Sequence, residues 1–257
     1  LTIRSEDGRL YDRFRSRVIF PIHNLTGRVI GFGGRVRTSS ENKPKYINSP
    51  ESDIYSKSKV LYGIFFAKNA IIRQDNCYLV EGYTDVISLH QAGIENVVSS
   101  SGTSLTTEQI KLIRRFTRNI TILYDGDPAG IKASFRGIDM ILEEGMNVKI
   151  VLFPDNEDPD SFVRKHRTSD VEELFRSGAN DFIVFKTNLL LKEAAGDPIK
   201  RASLIKEIVQ SVALIPDAIF RTVYVKECAS VMNMPEQTLM NELNKILRMN
   251  FNKKMET

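Results

Sequence analysis

Four short apolar runs constrain this chain more than any other feature. They fall at residues 77–80, 96–99, 120–124 and 148–153, and helix-like segments separate them. A strand with one wet face alternates polar and apolar residues, whereas a strand apolar throughout must be covered on both sides. The intervening segments carry helix punctuation. The 84–93 segment ends at Gly93, the 106–116 segment follows the cap candidates Ser104 and Thr106, and Pro128 sits in the first turn of 128–144. Short buried strands alternating with helices predict an α/β fold, a parallel sheet with helices on both faces.

The flanks read differently. Residues 17–22 and 27–32 form strands joined by a turn around Asn24 and Gly27, and the glycines of Gly31-Phe32-Gly33-Gly34 permit a bend or a close backbone approach. After residue 180 apolar residues recur at three- and four-residue spacing, through Phe182, Phe185 and Leu189 to Leu239, Leu243 and Ile246. Pro198, Pro216 and Pro235 punctuate that series near helix starts, which predicts an antiparallel helical bundle. Three parts follow: a strand-rich, basic and incomplete subdomain at 1–60, a central domain at 61–178 and the bundle at 179–257. A chain that starts without Met reads as a fragment.

Six carboxylates lie at or shortly after the ends of the central strands. Glu81 and Asp85 follow the first, Asp125 and Asp127 the third, and Asp158 and Asp160 come a short loop after the fourth. Strand ends of an α/β sheet open into one crevice. Two carboxylates 4 Å apart there repel by about 4 kcal/mol at an effective dielectric of 20. A hard divalent cation removes that repulsion, so the pattern points to Mg²⁺ and metal-assisted phosphoryl chemistry. Taken singly, each pair has a plainer reading: Asp-Gly-Asp is a common turn, Asp85 lies in a first helical turn, and Asp158-Pro159-Asp160 suits a helix cap.

Charge is unevenly spread. Residues 1–75 carry 14 Lys/Arg against 7 Asp/Glu, while residues 76–170 carry 10 against 14. A basic front beside an acidic middle suits a polyanion held next to a metal site. Arg13, Arg15 and Arg17 alternate, which in a strand places them on one face. Arg35, Arg37, Lys43, Lys45, Lys57 and Lys59 continue the basic series; Tyr11, Tyr46 and Tyr55 are candidates to stack on bases, and core packing suits Phe14 better. A solvated strand face is the alternative reading. The two cysteines, Cys77 and Cys228, lack CxxC spacing and give neither a zinc site nor a disulfide framework. No apolar run reaches 18 residues and the first residues are not a signal peptide, so a cytoplasmic protein without membrane contact is expected.

Glu81-Gly-Tyr-Thr-Asp85, Asp125-Gly-Asp127 and Glu157-Asp158-Pro-Asp160 resemble the TOPRIM domain of primases, topoisomerases and some nucleases. The runs from Tyr11 to Ile22, Val29 to Arg35 and Pro44 to Glu51 narrow the likeness to the bacterial DnaG-type primase; Leu61-Tyr62-Gly63 and Ser101-Gly-Thr103 agree. The resemblance covers residues 9–165 strongly and the tail more weakly. It implies a catalytic core that makes short RNA primers from ribonucleoside triphosphates on single-stranded DNA, leaving an RNA–DNA hybrid, at the bacterial replication fork. It implies catalytic roles for Glu81, Asp125 and Asp127. It also implies two or more Mg²⁺ or Mn²⁺ ions on Asp125 and Asp127, with help from Glu81, Asp85, Asp158 and Asp160. Arg13, Arg15, Arg35, Lys45 and Lys57 match its nucleic-acid groove. Whether Glu81 is a ligand or a general base stays open. Contacts with a replicative helicase and a zinc-binding domain are expected through parts of the longer protein outside this chain. DNA cleavage, a scaffold role without catalysis, and phosphatase chemistry on Asp-x-Asp are the competing readings.

Overall fold

The structure is a computed structural model that describes residues 2–4, 7–37, 44–102, 104–125, 128–154, 157–194 and 196–255, with the backbone alone at 128–134 and 254. Its front is antiparallel. β1 (Thr2–Arg4) pairs with β2 (Leu10–Asp12), and β3 (Arg17–His23), β4 (Val29–Val36) and β5 (Tyr46–Asn48) form a second sheet in that order. The expected turn joins β3 to β4: Gly27 has a φ of +85°, and Asn24 Oδ1 accepts from the N–H groups of Thr26 and Arg28 at 3.0 Å each. The glycines of β4 serve close approach without a bend. A Cβ on Gly33 would stand 2.5 Å from the Tyr83 ring, and one on Gly31 2.7 Å from the Tyr55 ring.

A 3₁₀ turn (Lys57–Lys59) leads to α1 (Ile64–Gln74), a helix the sequence reading passed over. The expected alternation follows: β6 (Cys77–Val80), α2 (Tyr83–Gln91), β7 (Val97–Ser99), α3 (Thr107–Arg114), β8 (Asn119–Tyr124), α4 (Pro128–Glu143) and β9 (Asn147–Leu152). Thr106 caps α3, accepting from Gln109 N while the Gln109 side chain accepts from Thr106 N. Next come α5 (Pro159–Lys165), α6 (Thr168–Ser177) and a two-residue strand, β10 (Asn180–Asp181).

The central sheet runs β10-β9-β8-β6-β7; β7, β6, β8 and β9 are parallel and β10 is an antiparallel edge. Period-two alternation sorts its side chains into two layers. Leu79, Ile120, Ile122 and Ile150 share one core with residues of α1, α3 and α4, while Val80, Leu123 and Val151 share another with α2, α5 and α6. Both faces are thus covered, as the uninterrupted apolar runs require. A third, small core of Phe20, Ile22, Tyr55 and Tyr83 fastens the front sheet to the start of α2, with the Phe20 and Tyr83 rings stacked at 4.9 Å.

The tail is helical as expected: α7 (Phe182–Glu193), α8 (Pro198–Leu214), α9 (Ala218–Met232) and α10 (Glu236–Met255). Asp181, Asp197 and Asp217 each cap a helix by accepting two backbone N–H bonds. The apolar stripes pack inward, and Leu190, Ile208, Val212, Met232 and Leu243 are continuous with the core under the sheet.

Candidate functional site

β9, β8 and β6 are adjacent and parallel, so their C-terminal ends form one edge. Glu81 directly follows β6, Asp125 directly follows β8, and Asp158 lies a short loop after β9. Asp85 sits in the first turn of α2 and accepts from Gly82 N at 3.0 Å. Asp158 caps α5 by accepting from Ser161 N at 2.6 Å, and Asp160 lies in the first turn of the same helix. The capping reading of Asp158 is therefore correct, and it coexists with the site reading because a cap uses one oxygen of two.

Electrostatics gather the group. Burial pushes the Asp85 carboxyl up to about 6, the Gly82 N–H pulls it down, and the charges of Asp158, Asp125 and Asp160 push it up. The charges of three other acids thus reach Asp85 from two neighbouring strand ends. Glu81 is solvent-exposed at the rim. Its backbone is pinned, the carbonyl accepting from Gly102 N and Ser99 Oγ at 3.3 Å each. A cleft of about 770 Å³ beside it is lined by Glu81, Ser104, Thr106, Tyr124 and Arg136, among others. Asp127 lies outside the described residues, as do Lys43 and Thr103.

The donor set suits a hard divalent ion. Among the described residues no group of three or more His, Cys, Asp or Glu is gathered tightly enough to chelate a metal unaided. That is compatible with Mg²⁺, which binds through one or two carboxylates and takes its other ligands from water and substrate phosphates. The charges that add to the effect of burial at Asp85 are those such an ion would neutralise.

The basic residues are placed by a turn. Residues 13–16 are not a strand, so the expected one-face stripe of Arg13, Arg15 and Arg17 does not form. Asp12 overrides the alternation: its carboxylate accepts from Phe14 N at 2.9 Å, its carbonyl accepts from Arg15 N at 3.3 Å, and Ser16 turns left-handed with φ +60°. Phe14 is thereby tucked into the interior. Arg17 is spent on structure, donating to the carbonyls of Gly34, Pro44 and Lys45. Arg13 Nε donates to Asn48 O at 3.2 Å, and Arg15 is exposed. Arg35 and Lys45 flank the Tyr46 ring at 5.7 and 5.9 Å. Tyr55 is 2% exposed and so inaccessible for stacking on a base.

Lys57 joins the basic strip to the acidic edge. The Asn48 amide lies 2.5 Å from the Tyr83 hydroxyl; with its nitrogen toward Tyr83, its oxygen accepts from Lys57 Nζ at 3.0 Å. Lys57 Nζ also reaches Gly102 O at 3.5 Å, next to the bond that pins Glu81. Asn48 and Tyr83 were not singled out from sequence; a polar amide and a tyrosine carry no local signal, and only the docking of β5 onto α2 brings them together. Burial lowers the Lys57 ammonium pKa, opposed by the Glu51 carboxylate.

Comparisons with known proteins show what each part of the chain is similar to. Residues 1–68 match the model of the DNA primase catalytic core, N-terminal domain, residues 78–163 a Toprim-like model, and residues 185–237 the DnaB-helicase binding domain of primase. The last match falls on the helical bundle itself, whereas the sequence reading expected helicase contacts only outside this chain. A DNA primase of Halalkalibacterium halodurans is 39% identical over 249 residues, covering 96% of this chain and 41% of the relative. The chain spans about 40% of the length of the curated relatives it matches. Among solved structures, a DNA primase domain from Pseudomonas aeruginosa superposes with a TM-score of 0.83 at 33% identity, over 95% of this chain and 77% of that one. A DnaG primase catalytic domain bound to single-stranded DNA gives 0.79 at 37% identity, over 89% and 74%.

Proposed function

This chain belongs to the DnaG-type DNA primase family, and from that premise we propose that it is the part of a primase that joins ribonucleotides into short RNA primers on a single-stranded DNA template. The observation that carries the reading is the placement of Asp85, Asp125, Asp158 and Asp160 around the ends of adjacent parallel strands, close enough that the last three charges act on Asp85. The residues that would hold divalent ions are these four together with Glu81 and Asp127. Bound Mg²⁺ or Mn²⁺, two or more ions in number, supplies charge neutralisation of the triphosphate and of the departing pyrophosphate.

The chain's own residues do the rest. Glu81, exposed at the rim on a pinned backbone, faces the cleft where the primer 3′-hydroxyl and the incoming nucleotide meet, and serves as ligand or as proton acceptor. Arg13, Arg15, Arg35, Lys45 and Lys57 hold template phosphates, with the guanidinium forks matching phosphate geometry. The three-part division, with boundaries at about residues 60 and 178, separates template binding, chemistry and partner docking. The match at residues 185–237 supports a replicative helicase as a partner of the bundle. A zinc-binding domain elsewhere in the longer protein is a second partner in this reading, and a cytoplasmic place at the replication fork follows. Among the described residues no helix is long and apolar enough to cross a membrane.

The test is template-dependent RNA synthesis by the purified chain, with ribonucleoside triphosphates, single-stranded DNA and Mn²⁺. Glu81→Gln is expected to lower product by about 10²–10⁴-fold. Its thermal midpoint should not move, because the carboxylate is exposed and the backbone bonds remain. Undiminished synthesis by the variant, or cleavage of the DNA in place of synthesis, overturns the reading.

A further inference from the structure

Asp160 is held in a way that a metal ligand alone would not require. Its Oδ1 accepts from the Ser88 hydroxyl on α2 and forms an ion pair with Arg164 Nε on its own helix at 3.0 Å. Both contacts fall on one oxygen, and the second oxygen takes neither. Ser88 is 7% exposed and the Asp160 carboxylate 16%, so the contact between them is shielded from water and from screening by salt. Ser88 lies on α2 three residues after Asp85, and Asp160 lies on α5 two residues after the cap residue Asp158. The clasp therefore ties together the two helices that carry three of the acidic side chains.

The bland alternative is a packing clip between helices. Two features speak against that alone. The α2–α5 contact already has an apolar core, with Val86, Leu89 and Phe162 buried in one cluster, so a polar clip adds little cohesion. Moreover, the clip is made by the carboxylate that adds to the charge at Asp85. A serine hydroxyl and a guanidinium on the same oxygen restrict the carboxylate to one rotamer.

We propose that Ser88 and Arg164 are positioning residues for divalent-ion binding: they hold the Asp160 carboxylate in one rotamer through one oxygen and leave the other oxygen to the ion. The proposal rests on the reading that this edge holds Mg²⁺ or Mn²⁺. Neither residue touches substrate; each acts through Asp160.

The test follows Mn²⁺ binding to the purified chain by electron paramagnetic resonance, beside thermal unfolding and the Mg²⁺ dependence of primer synthesis. Ser88→Ala and Arg164→Met should each raise the Mn²⁺ dissociation constant and the Mg²⁺ half-saturation about 10-fold, the low end of what loss of a supporting partner costs a metal site. Synthesis at saturating metal should stay within about twofold, the two readouts moving apart as expected of a group that acts only on binding. Ser88→Thr keeps the hydroxyl. Its extra methyl has room in the cleft of about 390 Å³ lined by Thr84, Ser88 and Arg164, so it should restore wild-type metal binding. If Ser88→Ala and Arg164→Met leave metal binding unchanged and lower only the melting temperature, the clasp is a packing clip and the proposal is wrong. Asp160→Asn separates the two layers of inference. Unchanged Mn²⁺ binding in that variant removes Asp160 from the metal edge and overturns the underlying reading along with the proposal, whereas weakened binding there and none in the other two variants overturns the proposal alone.

Discussion

Ionising Asp85 is costly because its surroundings are dry and negatively charged. Its carboxyl is pushed from 3.8 to about 6, by burial first and by Asp158, Asp125 and Asp160 after it. A carboxyl whose folded pKa is raised contributes stability that is fully present below the unfolded value and is lost as pH rises through the folded one. Between 3.8 and about 6 that loss amounts to roughly 3 kcal/mol. In metal-free buffer the chain should therefore lose stability from pH 4 to pH 7 more steeply than Asp85→Asn, which keeps an acceptor for Gly82 N and carries no charge. Adding Mg²⁺ at pH 7 should narrow the gap between the two. Urea unfolding across that pH range, with chelator and with Mg²⁺, measures both effects; parallel curves for the two proteins would show that Asp85 is not strained by its neighbours.

At the scale of elements, the segment between β2 and β3 shows how a local hydrogen bond defeats a pattern. Alternating arginines at 13, 15 and 17 fit a strand, but Asp12 captures the backbone of Phe14 and a turn forms. The three arginines then have different work, and mutation should separate them. Arg13→Ala with Arg15→Ala should weaken single-stranded DNA binding and flatten its log–log salt dependence by about 0.7 for every phosphate that is no longer neutralised. Arg17→Ala should leave that slope alone and instead destabilise the front sheet by about 1.5 kcal/mol, because its guanidinium bonds three carbonyls. Fluorescence anisotropy against salt, with a denaturation curve for each variant, distinguishes the two outcomes. Arg13 and Arg15 belong to an exposed turn beside β5, which suits a groove that must follow a flexible strand.

For the whole molecule, a buried ionic network couples α4, the helix that follows Asp125, to the bundle. Lys186 on α7 is 2% exposed; its Nζ donates to Ser211 Oγ at 3.0 Å, forms an ion pair with Glu207 Oε1 at 3.0 Å, and lies 4.8 Å from the centre of the Phe135 ring. Ser211 in turn donates to Asp139 on α4 at 2.8 Å. Burial raises the Asp139 carboxyl, while Lys186 and Ser211 hold it down. Lys186→Met keeps the packing and removes the countercharge. It should destabilise the fold by about 2–4 kcal/mol at pH 8, toward the lower end because Glu207 is partly exposed. The deficit should shrink at pH 5, because without Lys186 the folded pKa of Asp139 rises further and protonation restores a neutral group. Thermal unfolding at the two pH values reads this, and an equal deficit at both would exclude Asp139 as the cause.

Residue order was enough to dictate the layers. Runs apolar on both sides of the chain, such as Ile120 to Tyr124, admit no wet face, and the spacing of Leu239, Leu243 and Ile246 admits only a helix with one buried stripe. It was also enough to put acids after the strands, because a carboxylate after a buried run can only lie at a sheet edge. α1 was legible in the buried spacing of Ile64, Ala67, Ala70 and Ile71, but its glycine N-cap gives no side-chain signal. Which edges meet was settled only by the assembled fold. Strand order put β6, β8 and β9 side by side, and with them Glu81, Asp125 and Asp158; a different order of the same strands would have scattered them. Packing likewise turned Tyr55 inward, gave Arg17 to carbonyls and set Ser88 against Asp160 across 72 residues of sequence. Periodicity records which side of an element is buried, whereas the partner that buries it is chosen by shape and charge complementarity between distant segments, and no local pattern encodes that choice.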